Sequence, residues 1–297
     1  MKTHFMGNEK VYKLTLSDGR TWGFSAADKI HSWLKSFVDI MQLKEGSGSE
    51  TDFKFMFIAQ KGTNKLPVLD NKKEWEPYRS GRSFRVWHHS TVPEIFIELD
   101  PEFMDHESIR VINMWNSFKP LYEYYTKHGG GPVHAAFAGF EGKGILITAP
   151  GNTGKTTCIS RLPAYWEALS DDTALVVNNA VGQYRVHPLP TWSDYLCNRK
   201  RTTFNLEYSL PLEAVYFLEQ AESDEVIKLT KGQAAQEFFE SFKQSWNTYW
   251  HRMDDDKKKT KQMQVLDNSI KLSKSIPCYR LKATLHGEFW ENIEKML

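Results

Sequence analysis

The chain has 297 residues, enough for one large domain or two of roughly 150 residues each. Hydrophobic residues at 40% and charged residues at 25% are an ordinary globular balance, which excludes disorder throughout. With 38 Lys+Arg against 37 Asp+Glu the net charge is +1, so no global field draws in nucleic acid or an anionic membrane, and any anion site must be local. The three cysteines, Cys158, Cys197 and Cys278, are widely spaced and odd in number, matching neither a disulfide framework nor a zinc motif. No apolar targeting segment opens the chain, and no run approaches the ~18 apolar residues of a membrane span. The expectation is a cytoplasmic protein with reduced thiols.

In chain order, residues Val11 to Phe24 read as a hairpin, with Tyr12, Leu14, Trp22 and Phe24 alternating around the turn Ser17-Asp18-Gly19. A helix capped by Ser25 should follow, because Ile30, Trp33, Leu34, Phe37 and Met41 recur at three-and-four spacing. The polar stretch Glu45 to Glu50 reads as a loop. Strands are expected at Phe53 to Ile58, Phe84 to Trp87 and Glu94 to Leu99, separated by a polar segment with Pro67, Pro77 and Gly81. This makes 1–105 a small α+β accessory domain and 106–297 the main domain. Ser108 to Tyr125 is helical in pattern, with a kink or a second start at Pro120, and Gly129-Gly130-Gly131-Pro132 ends it. Further strands are expected at Val133 to Phe140, Gly144 to Thr148, Thr173 to Val177, Gln183 to His187, Ala214 to Leu218 and Val226 to Leu229. Gln233 to Trp250 carries Phe238, Phe239, Phe242, Trp246 and Trp250 on one helical face. The charge blocks Asp254 to Lys261 read as a solvated loop, and a short helix from Phe289 closes the chain.

The segment Ala149-Pro150-Gly151-Asn152-Thr153-Gly154-Lys155-Thr156 fits the phosphate-loop pattern, following a strand and opening a helix with Thr157. Gly151 and Gly154 let Asn152, Thr153 and their neighbours turn backbone N–H groups inward as an anion nest, beside a helix N-terminus. Lys155 is then expected on the β- and γ-phosphates and the Thr156 hydroxyl on Mg²⁺. The pattern implies ATP or GTP without choosing between them. Ser170-Asp171-Asp172 follows Lys155 by 171 − 155 = 16 residues, the length of one crossover helix. In a parallel sheet that spacing brings both acids beside the loop, one for the metal and one to accept a hydroxyl proton. The alternative is that the pair merely caps a turn.

These residues resemble the HPr kinase C-terminal family, in which a P-loop is followed by a short helix and an Asp-Asp pair. Val133-His134 lies 155 − 134 = 21 residues before Lys155, and Gly142 to Thr148 is similar to that family's strand into the loop. The resemblance implies an α/β P-loop domain with a mixed central sheet and flanking helices. It also implies Asp171 as the proton-accepting carboxylate, Asp172 as the metal-side acid and His134 close to both. Two departures are Ala149 in place of the first glycine and a loop-to-acid interval one residue shorter. Tyr12 to Leu16, Ile40 to Leu43, Leu162-Pro163-Ala164-Tyr165-Trp166, Leu169 to Asp172 and His187 to Asp194 resemble, in addition, the kinase-like family of the SynChlorMet peptide cassette, a likeness expected to cover nearly the whole chain. That likeness implies a Ser or Thr hydroxyl of a peptide or small protein as acceptor, in a ribosomal-peptide biosynthesis cluster.

Further candidates are Arg185 and His187, alternate residues of one strand, which either meet phosphate charge or are ordinary edge side chains. Trp192 either stacks on a base or fills a core. Arg199 and Arg201, in the basic cluster 199–201, would serve phosphoryl transfer or acidic-peptide docking, or else simply be solvated. The cluster is too short for nucleic acid. The leading expectation is a Mg²⁺-dependent kinase. Its rivals are a small-molecule kinase, a nucleotide-hydrolysing switch and a peptide-presenting module, and a homo-oligomer is left open.

Overall fold

In the computed structural model, residues 10–46, 51–61, 75–79, 83–89, 92–179, 181–197, 199, 202–251 and 253–297 are described. They form two compact units, 1–120 with 192–207 and 121–191 with 208–297. The division thus falls at 120/121, against an expected boundary near 105, and the chain returns to the first unit at Trp192.

The first unit holds β1 (Val11–Thr15), β2 (Thr21–Ala26), α1 (His31–Ile40), β3 (Lys44–Gly46), β4 (Phe53–Ala59), β5 (Glu76–Arg79), β6 (Phe84–His89), β7 (Val92–Leu99) and α2 (Glu107–Ser117). Its seven strands run in the order β3-β1-β2-β4-β7-β6-β5. The hairpin pairs Tyr12 with Phe24 and Leu14 with Trp22, so all four apolar side chains share one face, and Trp33, Leu34 and Phe37 of α1 are buried in the same unit. Pro77 lies in β5, an edge strand, where a missing N–H is tolerated. Pro67 and Gly81 lie outside the described residues.

In the second unit, α3 (Lys119–Lys127) starts afresh around Pro120, as a proline in a first turn permits. Then come β8 (Gly131–Val133), β9 (Ala135–Phe140), β10 (Lys143–Thr148), α4 (Lys155–Arg161), β11 (Glu167–Ser170), β12 (Ala174–Asn178) and β13 (Tyr184–Pro188). After α5 (Trp192–Leu196), which belongs to the first unit, follow β14 (Leu210–Gln220), β15 (Glu225–Lys228), α6 (Lys231–Trp250), α7 (Asp255–Ser275), β16 (Cys278–Ala283) and α8 (Phe289–Glu294). The sheet is mixed and runs β11-β9-β10-β14-β13-β12-β8, with β16 joining parallel to β14 and β15 antiparallel to β16. Cys158 and Ile159 of α4 and Phe289 and Ile293 of α8 pack with Ile145, Ile147, Tyr216 and Leu281 in one core. Phe238 of α6 meets Phe217 edge-on. A capping box at Thr230 and Gln233 fixes where α6 begins.

Several expectations are corrected. Ser25 lies within β2 rather than capping α1, which has no side-chain cap. Glu45 and Gly46 belong to the short edge strand β3, not a loop. The strand expected over 133–140 breaks at His134, because β8 pairs with β12 whereas β9 pairs with β10 and β11. Residues 255–261 are the first turns of α7, not a loop: the Asp254 carboxylate accepts from the Lys257 N–H at 2.8 Å. Asp255 and Asp256 complement the helix dipole, and Val265 and Leu272 anchor the helix by burial. Trp192 is a core residue of the first unit, its ring against Phe37, Phe118 and Tyr195.

The glycine run after α3 threads close to β12: a Cβ on Gly130 would stand 2.1 Å from the Val176 carbonyl oxygen. The buried Asn268 amide of α7 holds this turn, donating to the Thr126 carbonyl at 2.7 Å and the Gly130 carbonyl at 3.0 Å. Asn268→Leu strips both carbonyls of this donor. A buried polar group left unpaired costs about 1–3 kcal/mol, and urea unfolding should show a loss of that order or more; an unchanged midpoint would mean the turn is held by other contacts.

Candidate functional site

The loop between β10 and α4 supplies the site's first half. Gly154 has φ 107° and Asn152 φ 63°, so the loop turns through left-handed conformations of the kind that anion nests use. A Cβ at Gly151 or Gly154 would meet nothing within 4 Å, which leaves open space in front of the loop. The Thr153 hydroxyl donates to the Pro150 carbonyl at 2.9 Å, and the Gln220 amide at the end of β14 donates to the Thr153 carbonyl at 3.1 Å. Thr156 and Thr157 are exposed.

Lys155 is only 6% exposed. Its ammonium donates to the Ala149 carbonyl at 2.8 Å and the Pro150 carbonyl at 3.2 Å, and stands 2.9 Å from His134 Nε2. His134 Nδ1 lies 3.4 Å from an Asp172 carboxylate oxygen. Burial pushes the His134 pKa down to about 4, the Lys155 charge pushes it the same way, and a hydrogen bond to the Asp172 backbone opposes them. At neutral pH the ring is therefore uncharged. Because Nε2 faces an ammonium, it must be the acceptor, which places the ring proton on Nδ1, toward Asp172. Burial also lowers the Lys155 pKa, against the attraction of Asp172 and Asp171, which favour the charged form.

The break in the strand delivers His134 to this point. Its N–H donates to the Ser241 carbonyl at 3.2 Å, its carbonyl accepts from the Thr148 hydroxyl at 3.0 Å, and the Thr148 and Ser241 hydroxyls are bonded to each other. The acids arrive by a route other than a parallel crossover. β11 runs antiparallel to β9 at the sheet edge, and β12 runs antiparallel to β13 and β8, so Asp171 and Asp172 occupy the bend that joins β11 to β12, two strands that do not pair with each other. Asp171 accepts a hydrogen bond from the Thr191 hydroxyl at 2.6 Å. His134 thus contacts Asp172 rather than Asp171.

The remaining candidates are placed differently. The Arg185 guanidinium donates to the Ser209 hydroxyl at 2.9 Å and the Ser209 carbonyl at 2.6 Å, which engages it at the junction of β13 and β14. His187 is buried within β13. Arg199 belongs to the first unit, with an exposed guanidinium 4.0 Å from Asp194. Arg201 lies outside the described residues. Thr156 and Asp172 offer hard oxygen donors, the chemistry Mg²⁺ takes when it shares its coordination with phosphate oxygens. Among the described residues, no three His, Cys, Asp or Glu side chains are grouped to hold a metal ion alone, and no helix is long and apolar enough to cross a membrane.

Thr191 escaped the sequence reading, although the hairpin register contains it. Ala174 pairs with Pro188 in antiparallel fashion, so stepping three residues outward on both strands sets Asp171 opposite Thr191.

Residues 96–297 match the family described as SynChlorMet cassette protein ScmC. The chain belongs to that family. The ScmC-family span includes the loop, His134, both acids and Thr191. A comparison with curated proteins returns no match.

The protonation pattern has a direct test. Since the folded His134 pKa of about 4 lies below its ordinary 6.5, the unfolded chain binds the extra proton across that window. The second unit should therefore lose stability as pH falls from 6.5 toward 4. Imidazole ¹⁵N shifts should report a neutral ring protonated on Nδ1 at pH 7; a charged ring at that pH would break the assigned bond from Lys155.

Proposed function

We propose that the second unit is a nucleotide- and Mg²⁺-dependent phosphotransferase that passes the γ-phosphate of ATP or GTP to a Ser or Thr hydroxyl of a peptide or small protein. The carrying observation is the chain Lys155–His134–Asp172 beside a second carboxylate, Asp171, held by Thr191. A turn-capping role for the acid pair would not call for a buried ammonium and a neutral imidazole in series with it. The likeness of these residues to the HPr kinase C-terminal family supports the reaction type. The cassette in the family's name supports a peptide acceptor made in a biosynthetic cluster.

In this reading, Gly151, Asn152, Thr153, Gly154 and Thr157 supply the polar rim of the polyphosphate site, and Lys155 turns from its two loop carbonyls toward the β- and γ-phosphate oxygens. Mg²⁺, held by the Thr156 hydroxyl and Asp172 together with phosphate oxygens, would supply charge neutralisation on the transferring group. Asp171 accepts the proton of the acceptor hydroxyl as its oxygen bonds to the γ-phosphorus and the bond from that phosphorus to the β–γ bridging oxygen breaks, leaving the nucleoside diphosphate. Thr191 fixes the angle of Asp171 without neutralising it. His134 acts as the neutral spacer that aligns Lys155 with Asp172.

A nucleotide-hydrolysing switch would use the same loop and remains the second reading, since water can take the place of the hydroxyl. Asp171→Asn should lower transfer to a peptide encoded beside the gene by about 10²–10⁴-fold with nucleotide affinity nearly kept, whereas Lys155→Ala should weaken binding itself. Mass spectrometry reads the added phosphate. Nucleotide hydrolysis with no phosphorylated peptide would favour the switch, and full turnover in the Asp171 variant would remove it as the base.

Thr191→Val deletes a hydrogen bond to a charged group, worth about 1.5–3 kcal/mol, or roughly ten- to hundredfold in turnover. Thr191→Ser keeps the donor and should restore most of the rate. Equal losses in both variants would make the methyl group, not the hydroxyl, the important part.

A further inference from the structure

We infer that a pocket on the other flank of the loop receives the nucleoside of the bound nucleotide; this rests on the nucleotide reading above. The pocket has a volume of about 290 Å³ and is walled by Thr153 and Thr157 from the loop and α4, Leu218 and Gln220 from β14, and Leu285 beyond β16. None of Lys155, His134, Asp171 or Asp172 lines it. Thr153 and Gly154 border the pocket, while the next residue, Lys155, reaches to His134. A polyphosphate lying over the loop therefore has one end at the pocket and the other at the carboxylates.

Three features fit a planar base and ribose rather than solvent alone. The wall is preformed: Arg161 donates to the Thr284 carbonyl at 2.9 Å and to the Gly287 carbonyl, its guanidinium lying over the Phe289 ring at 5.3 Å, and the Thr284 N–H donates to Asp224 at 2.6 Å. The lip carries an apolar side chain, Leu285, 65% exposed above the apolar Leu218, a surface a heteroaromatic ring would cover. The lining mixes apolar and polar groups, as in small-molecule sites generally: Thr153, Thr157, Thr284, Arg161 and Gln220 supply the polar atoms, Gln220 being already tied to the loop. The volume suits one nucleoside-sized group, and Arg161, which also lines the pocket, holds the wall through its carbonyl contacts.

The test compares two probes on the full chain with Mg²⁺, a nucleoside diphosphate (ADP and GDP in turn) and inorganic tripolyphosphate, each titrated calorimetrically. Leu285→Ser removes the exposed lip, and Ala221→Trp, at an alanine that lines the pocket beside Gln220, fills it. Nucleotide affinity should fall roughly tenfold in Leu285→Ser, the worth of one apolar side chain's contact, and further in Ala221→Trp, while tripolyphosphate affinity is unchanged in both. Should the Trp variant fail to fold, the exposed Leu285 variant decides. If nucleotide binding is unaltered, or if both probes weaken together, the pocket is not the nucleoside site although the nucleotide reading stands. If neither probe binds the unmodified chain, both ideas fall.

Discussion

A buried ammonium must have each of its three protons accepted, and at Lys155 this requirement organises the surroundings. Two acceptors are carbonyls of the lysine's own loop, Ala149 and Pro150, and the third is a ring nitrogen of His134. A carbonyl accepts at any pH, but an imidazole accepts only when neutral. The burial that makes the ammonium demanding also keeps His134 neutral, with the ammonium's own charge reinforcing it. One protonation state therefore satisfies the whole chain, and the proton left on Nδ1 faces Asp172. This is a tighter arrangement than a Gly-rich turn with an exposed lysine would need.

Placing His134 is a task for the backbone. One unbroken strand from 131 to 140 would give its side chain the ordinary alternation of a sheet. Instead, β8 pairs with β12 and β9 with β10, so His134 stands at the change of partner with its own N–H and carbonyl released from the ladder. Both are satisfied: Ser241 of α6 accepts from the one and Thr148 of β10 donates to the other. The hydroxyls of Thr148 and Ser241 bond to each other, tying the residue just before the loop to the helix behind it. The loop, the histidine and α6 are thereby one hydrogen-bonded assembly.

Local features of this architecture were legible in the sequence. The β1–β2 hairpin, the apolar stripe of α6 and the glycine spacing of the loop each depend on residues a few positions apart, where periodicity and turn chemistry operate. The helix α7 was concealed because its first turns carry Asp and Lys blocks without an apolar residue; what makes them helical is the Asp254 cap and the burial of Val265 and Leu272 further along. The acid pair was expected near the loop through a parallel crossover, yet β11 pairs antiparallel to β9, a choice made by non-local partners. Thr191 was hidden in a different way, since it becomes visible only when the β12–β13 register is extended past its last pair. Spacing from Lys155 thus pointed to the acid that meets His134, but by a parallel crossover that the sheet does not have.

The two carboxylates, adjacent in sequence, are distinguished by what holds them. Asp172 is aligned through His134 with a positive charge, so its own charge is already part of an electrostatic series and a divalent cation would extend that series. Asp171 is held by a neutral hydroxyl, which orients a carboxylate without cancelling its charge. A carboxylate oriented by a single hydroxyl fits the proposed proton acceptance, whereas one aligned along a chain of donors suits a metal or a lysine. The proposed division of labour between the acids therefore rests on their partners as well as on the family likeness. The groups proposed for the donor side all lie within the second unit, from the loop to Thr191. The basic candidates Arg185 and Arg199 stand apart from this cluster, the first engaged at the β13–β14 junction and the second in the other unit.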